Sequence, residues 1–260
     1  MKYSTDLPVK IIMLGAGGTG GHAAPHLYRL LYSLSRSVRF ILVDGDAVEE
    51  KNLVRQNFSA YDLGRNKART IAERYSDAFG IEPEYVPDFI EDKERLLKLV
   101  TPDVHSLPRS EWRRNNGKIV KSVSELVVLI GAVDNNKSRQ LCHEVFKEAS
   151  DLVYIDSGNG EFSGQVVCGV RRNSRTMYKP VGAFYPDVLE DADKFPTELS
   201  CAEAAVSSPQ AITANVTAAA IIVDIIYNIV ALGENDVHHV PFSARSVSIK
   251  PQQKQRRPAA

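Results

Sequence analysis

Cysteine is scarce in this sequence and follows no pairing pattern. The chain of 260 residues has three cysteines, Cys142, Cys168 and Cys201, which lie far apart and form no Cys-x-x-Cys pair. This number and spacing argue against a disulfide framework and against a structural zinc site, which relies on paired ligands. We therefore expect a reducing, cytoplasmic location and no structural zinc.

Net charge and long apolar runs are also absent. The 32 Lys and Arg residues balance 32 Asp and Glu residues, so the overall charge gives no reason to expect binding to a membrane or to nucleic acid. The most apolar stretch, 216–232, is interrupted by Asp224 and Asn228. It is too broken for a membrane span, so we expect a buried core helix there. Residues 1–8 show no targeting signal.

Hydrophobic patterning predicts an α/β fold. Short apolar segments that alternate with helical patterns favour parallel strands in a Rossmann-like, doubly wound sheet with helices on both faces. Two later segments are expected to continue the sheet as antiparallel strands, with Cys168 in the core of the first. The predicted strands are 9–14, 38–43, 84–89 (an edge strand because of Pro87), 126–130, 152–155, 165–170 and 245–249. The main predicted helices are 65–79, which ends at Gly80, one starting near Lys137 with Cys142 on its apolar face, and 209–232.

We expect one domain over residues 1–250. Two stretches do not fit a minimal sheet-and-helix core, and they are interpreted as insertions near 101–124 and 172–208. The first is basic and the second contains a strongly acidic loop. The net charge of zero is therefore the sum of regions of opposite charge. Residues 251–260 are rich in Pro and Gln and are expected to form a disordered tail.

A glycine turn joins the first predicted strand to a helix. Gly15, Gly17 and Gly20 have the spacing Gly-x-Gly-x-x-Gly, which lets backbone N–H groups approach a phosphate at the positive end of the helix. Asp44 follows the second strand, where a carboxylate can accept hydrogen bonds from both ribose hydroxyls. The alternatives are a purely structural turn and a solvated carboxylate at a strand end. To this point an NAD-dependent oxidoreductase explains the pattern.

Further motifs do not fit an oxidoreductase. Asp46 and Val48 follow Asp44, the run Asn-Leu-x-Arg-Gln spans 52–56, Lys67 lies at a helix start, and an Asp-Asn pair occupies 134–135. With the glycine turn in front of them, these motifs resemble the ThiF/MoeB/HesA family, which includes the adenylation domains of ubiquitin-activating enzymes. The resemblance covers residues 9–232. A narrower similarity, to the ThiF-type proteins of bacterial PRTRC gene clusters, rests on Ser200-Cys201 and on residues 209–215.

The resemblance implies an adenylyltransferase that uses ATP and Mg²⁺. A carboxylate, the C-terminal glycine of a ubiquitin-like or sulfur-carrier protein, would attack the α-phosphate and release pyrophosphate. Arg55 is suited to grip β- and γ-phosphate oxygens, Lys67 to offset charge on the α-phosphate, and Asp134 to bind Mg²⁺. The residues implied to bind the nucleotide are Gly15, Gly17, Gly18, Gly20, Asp44, Asp46, Asn52, Arg55, Gln56, Lys67 and Asn135.

The resemblance places Cys201 where relatives have a crossover loop. The cysteine of that loop can form a thioester or a persulfide. The alternative is a structural loop cysteine, because neighbouring acidic residues would oppose thiolate formation. In many relatives an N-terminal arginine reaches across a dimer interface to the partner's ATP. Residues 1–10 contain no arginine. Arg109, Arg113 or Arg114 could replace it, although a solvated basic loop also explains these three residues.

The family usually forms homodimers through the region of the apolar helix 209–232, and the same is expected here. A small carrier protein is the expected acceptor. Two other functions stay open: a ThiF-like scaffold that binds a nucleotide without catalysis, and the NAD-dependent oxidoreductase. A nucleic-acid partner is not expected, except a transfer RNA whose modified nucleoside carries the carboxylate, and that substrate would need a basic face.

Overall fold

The computed structural model describes residues 1–115, 118–190, 193–199 and 210–253. The helices are α1 (Gly18–Tyr32), α2 (Lys67–Phe79), α3 (Lys93–Val100), α4 (Asn136–Glu148), α5 (Asp187–Glu190) and α6 (Ile212–Val230). The first eight strands are β1 (Val9–Leu14), β2 (Val38–Val43), β3 (Glu84–Val86), β4 (Val104–Ser106), β5 (Arg113–Asn115), β6 (Lys118–Val120), β7 (Ser122–Ser124) and β8 (Leu126–Gly131). The others are β9 (Leu152–Asn159), β10 (Ser163–Arg172), β11 (Arg175–Tyr178), β12 (Val237–Ser243), β13 (Ser248–Ile249) and β14 (Gln252–Gln253).

One twisted sheet of ten strands organises the fold. Its main order is β13-β12-β10-β9-β8-β1-β2-β3. The strands from β9 to β3 pair in parallel, whereas β10, β12 and β13 continue the sheet in antiparallel pairing. The α/β class predicted from the sequence, with a parallel sheet that continues into antiparallel strands, is confirmed. The short strand β3, which Pro87 follows, lies at the edge as expected.

Both faces of the parallel region are buried under helices. Ile11 and Met13 of β1 pack on one side with residues of α1, α2 and α6, and Ile12 and Leu14 pack on the other side with residues of α3 and α4. A strand covered on both faces needs apolar residues on both, which explains why β8 is apolar throughout and why β1 and β2 are apolar after Lys10 and Arg39. Cys142 and Cys168 are fully buried, as predicted.

Several element boundaries differ from the prediction. Helix α2 starts at Lys67 rather than at Arg65, because the Asn66 side chain caps it by accepting a hydrogen bond from the Arg69 N–H. It ends at Gly80, which has φ 63° in the left-handed region. Strand β9 runs beyond Ile155 to Asn159 through buried polar residues that an apolar pattern does not reveal.

The last predicted strand, 245–249, forms only in part and pairs antiparallel with β12. Only Ser248–Ile249 of the segment 245–249 is extended, and the strand that pairs with β10 is β12. Two histidines and a proline interrupt the apolar alternation of β12, so its sequence lacks the usual signal of a strand.

The first predicted insertion folds at the amino ends of the parallel strands. Its β4 pairs with β7 and its β5 with β6, each pair antiparallel. Lys10, near the start of β1, anchors it with an ion pair to the buried Glu125 at 3.0 Å and a hydrogen bond to the Thr101 carbonyl at 2.8 Å. The glycine turn lies at the opposite, carboxyl end of β1, so the base of this insertion is remote from it.

Helix α6 is long and apolar enough to cross a membrane by length and composition alone. Half of its most apolar stretch is buried inside the protein, where Ile222, Ile225 and Ile226 pack in the core beside α1. This packing is that of a core helix, as the sequence predicted.

Ile222→Ala should lower the free energy of unfolding by about 2–5 kcal/mol, because the truncation leaves a cavity in a fully packed core. Ile212→Ala is a matched control on the same helix, since Ile212 is 46% exposed and its truncation should cost under about 1 kcal/mol. Urea denaturation measures both. Equal losses at the two positions would contradict the assignment of α6 to the core.

Candidate active site

The turn between β1 and α1 requires glycine for steric reasons. Gly15 has φ +93°, and a Cβ at this position would lie 2.4 Å from the Ala132 carbonyl oxygen. A Cβ on Gly20 would lie 1.9 Å from the carbonyl oxygen of Gly15. The glycines therefore let the turn cross closely over the loop after β8 and bring the N-terminus of α1 to the edge of a cavity.

This cavity has a volume of about 270 Å³ and lies at the carboxyl ends of the parallel strands. Open α/β sheets bind their ligands at this edge. Most residues predicted from the sequence line it: Gly15, Gly17, Gly18, Asp44, Asp46, Arg55, Gln56, Lys67, Asp134 and Asn135.

Two carboxylates and a lysine meet where β2 ends. Asp44 is 7% exposed and accepts hydrogen bonds from the backbone N–H groups of Ala16, at 2.7 Å, and Asp46, at 2.9 Å. Lys67, 6% exposed at the start of α2, pairs with the Asp46 carboxylate at 2.8 Å. Burial raises the pKa of Asp44 to about 6, and the charge of Asp46 adds to the rise, while Lys67 opposes it.

Arg55 and Gln56 enter the cavity from the segment after β2. The Arg55 guanidinium donates to the Gln210 side-chain oxygen at 3.2 Å. Gln56 is 9% exposed, and its Oε1 atom has no hydrogen-bond partner among the described residues. Arg55 is the one arginine among the described residues that line the cavity, and Arg109 does not line it.

Asp134 and Asn135 belong to the loop that joins β8 to α4. Asn135 caps α4 by accepting a hydrogen bond from the Ser138 N–H at 2.8 Å. Asp134 lines the cavity just before this helix N-terminus. The N-termini of α1 and α4 thus meet at one cavity, where the positive ends of two helix dipoles favour an anionic ligand.

Two predicted residues lie outside the cavity lining, and a third is not among the described residues. Asn52 does not line the cavity: its side chain accepts from the Glu49 N–H at 2.8 Å and its carbonyl from the Gln56 N–H at 2.8 Å, so it shapes the turn that carries Arg55. Gly20 does not line the cavity either, and its role is the close packing described above. Cys201 lies outside the described residues, and its reactivity stays a prediction.

The structure adds residues that the sequence analysis did not assign to the site. At one end the cavity lining is apolar, with Phe89 and Ile90 after β3. At the other end Ser157 and Asn159 of β9 contribute uncharged polar groups, together with Gln210. For Phe89 and Ile90, their position at the carboxyl end of the predicted strand 84–89 was a usable signal. Gln210 belongs to the segment 209–215 that carries the narrower family similarity, but nothing in the sequence placed it at the cavity.

Part of the acidic loop lies over the cavity, where Pro196 and Leu199 join the lining. The Asp193 carboxylate accepts from the Asn136 N–H at 2.6 Å, and the Thr197 N–H donates to Glu91 at 3.1 Å. These contacts hold residues 193–199 against α4 and against the end of the sheet.

The family assignment follows from the sequence match. The model of the ThiF family matches residues 7–258, nearly the whole chain. The chain therefore belongs to the ThiF family. No curated protein matches the chain.

Solved structures share the fold at low sequence identity. A crystal structure of PaaA is 18% identical and superposes with a TM-score of 0.61, with 94% of this chain and 64% of that chain covered. E. coli MccB with ATP is 18% identical with a TM-score of 0.60 (96% and 64% covered). E. coli MccB with AMPCPP and MccA is also 18% identical with a TM-score of 0.60 (96% and 65% covered). The chain thus spans somewhat less than two thirds of the length of these neighbours, and the likeness concerns the fold.

The Asp44 carboxyl should titrate with a midpoint near 6, as measured by NMR of the side-chain carboxyl carbon. Asp46→Asn should lower the midpoint because a repelling charge is removed, and Lys67→Met should raise it because an attracting charge is lost. Lys67→Arg, which keeps the charge, should leave it nearly unchanged. An Asp44 midpoint near 4, insensitive to Asp46→Asn and Lys67→Met, would contradict this description of the site.

Proposed function

We propose that the chain is an ATP-dependent adenylyltransferase that activates the carboxylate of a small protein or peptide. One observation carries the proposal: Arg55, Lys67 and Asp134, from three separate segments of the chain, converge with the glycine turn on a single cavity. Membership of the ThiF family supports the same activity.

The lining of the cavity offers a suitable surface for each part of ATP. Phe89 and Ile90 offer an apolar surface for adenine, next to Asp44, whose carboxylate can accept hydrogen bonds from the ribose hydroxyls. The glycine turn and the N-terminus of α1 then face the phosphates. E. coli MccB, a structural neighbour, has been solved with ATP.

Charge on the triphosphate is offset mainly by side chains of this chain. Arg55 can bind β- and γ-phosphate oxygens through two N–H groups, and Lys67 can exchange its partner Asp46 for the α-phosphate. Both cations stabilise charge that develops while pyrophosphate leaves.

Magnesium fits this donor set as a partner of the nucleotide. The described residues contain no cluster of three or more His, Cys, Asp or Glu side chains that could hold a metal. Mg²⁺ commonly takes one or two protein carboxylates and completes its shell with phosphate oxygens and water. Asp134 supplies such a carboxylate on the cavity wall, and the ion would add charge neutralisation at the phosphates.

The acceptor would enter from the side of β9. There Ser157, Asn159 and Gln210 supply uncharged hydrogen-bonding groups, which suit the amides of an extended peptide tail. A solved structure of MccB contains MccA. The C-terminal glycine of a ubiquitin-like or sulfur-carrier protein is our proposed acceptor group, a homodimer the proposed assembly, and the cytoplasm the proposed location.

The attacking carboxylate is already ionised near neutral pH, so the reaction needs no general base. One carboxylate oxygen bonds to the α-phosphorus while the bond to the pyrophosphate oxygen breaks, which yields the acyl-adenylate. The side chains orient the reactants and balance charge, and they form no covalent bond in this step.

Arg55→Ala and Asp134→Ala should each lower ATP–pyrophosphate exchange by at least about 100-fold, because each removes charge stabilisation from the transition state. The assay contains candidate acceptors, starting with small proteins that end in glycine. Arg69→Ala and Asp77→Asn, both exposed on α2 outside the cavity lining, are the matched controls and should keep exchange.

Unchanged exchange in Arg55→Ala or Asp134→Ala would contradict the proposal. Fluorescence titration with ATP and with NADH distinguishes the adenylyltransferase from an NAD-dependent oxidoreductase. The oxidoreductase alternative gives Arg55, Lys67 and Asp134 no role, and it predicts binding of NADH. ATP binding without exchange for every acceptor would favour the scaffold.

A further inference from the structure

A largely buried arginine contacts the loop that carries Asp134. Arg139 belongs to α4, and its side chain is 12% exposed. Its Nη2 atom donates to the carbonyl oxygens of Val133, at 3.0 Å, and Ser157, at 3.1 Å. Its Nη1 atom lies 3.2 Å from the Asn136 side-chain oxygen. One guanidinium thus ties the loop after β8 to the end of β9 and to the start of α4.

A buried carboxylate holds this guanidinium in place. Asp156 of β9 is fully buried, and its Oδ2 atom lies 3.7 Å from Arg139 Nε, an ion pair too long for a hydrogen bond. The same oxygen accepts a hydrogen bond from the Tyr154 hydroxyl at 2.8 Å. It also lies 3.3 Å from the position of a Cβ on Gly131, so the carboxylate sits against the end of β8.

We infer that Arg139 is a positioning residue that fixes Asp134 for metal-bound ATP. The inference rests on the proposed function and extends it to a residue that does not line the cavity. The Val133 carbonyl belongs to the peptide bond that leads into Asp134, so its hydrogen bond to Arg139 fixes the backbone on one side of Asp134. On the other side, Asn135 fixes it by capping α4.

The contacts require an arginine in particular. Two carbonyl oxygens and one amide oxygen are reached from separate edges of one planar group that also faces Asp156. A lysine keeps the charge opposite Asp156 but offers one nitrogen, which cannot span these acceptors together. Arg139→Lys should therefore keep the ion pair with Asp156 but lose some of the hydrogen bonds that hold the loop.

The test is ATP binding by titration calorimetry on the full chain, with and without Mg²⁺. The quantity compared is the gain in ATP affinity that Mg²⁺ produces. In Arg139→Gln this gain should fall by about 10-fold, the usual effect of removing a group that orients a metal ligand. ATP affinity without Mg²⁺ should stay within about two-fold, because the nucleotide contacts themselves are kept. Arg139→Lys should give an intermediate gain.

Two further variants separate positioning from stability. Arg139→Gln leaves Asp156 as an unpaired buried carboxylate and should destabilise the fold. The double variant Arg139→Gln with Asp156→Asn removes that charge, so it should recover thermal stability and still lack the gain with Mg²⁺. Lys147→Gln, at an exposed position of the same helix, should behave as the wild-type chain.

If Mg²⁺ raises the ATP affinity of the folded double variant as much as that of the wild-type chain, the inferred role of Arg139 is wrong. The proposed function would then still stand. A wild-type chain that binds ATP with no gain from Mg²⁺ would overturn this inference together with the assignment of Asp134 to magnesium. A wild-type chain that does not bind ATP at all would overturn the proposed function as well.

Discussion

The close crossing of two loops is the constraint on which the site depends. The turn after β1 passes so near the loop after β8 that Gly15 has no room for a Cβ beside the Ala132 carbonyl. Backbone hydrogen bonds from Gly15 to Val43 and from Ala132 to Leu14 extend the sheet into both loops. This crossing brings the N-termini of α1 and α4 to one cavity, so the backbone fixes where the proposed phosphate and metal sites lie.

Charge around the cavity is balanced by partners that a nucleotide can replace. Lys67 is paired with Asp46, and Arg55 with the neutral Gln210. In the proposed function, triphosphate oxygens replace both partners at little cost, because each cation moves from one acceptor to another and is never left unpaired. Asp44 differs, since its two oxygens hold the backbone of the glycine turn and of Asp46 while it remains on the cavity wall.

Sequence patterns predicted the parts of the fold that depend on local chemistry. The mainly apolar strands, the glycine turn and the polar residues just after β2 and β8 were all predicted, because each follows from neighbours in the chain. Strand β12 was missed because His238, His239 and Pro241 conceal its alternation.

The remaining site residues depend on tertiary packing. Asn159 and Gln210 reach the cavity from elements far apart in sequence. Arg139 looks like one more polar residue on an amphipathic helix, and its burial against Asp156 is visible only once β9 is placed beside β8. For Asn52 the motif predicted a contact with the nucleotide. In the structure its side chain instead hydrogen-bonds within the turn that carries Arg55.

The account is tested most directly by a crystal structure of the chain with ATP and Mg²⁺. We predict adenine against Phe89 and Ile90, the ribose hydroxyls on Asp44, the α-phosphate within hydrogen-bond distance of Lys67, and the β- and γ-phosphates on Arg55. A triphosphate that lies away from Arg55 and Lys67, or a cavity that admits NADH and excludes ATP, would contradict the account.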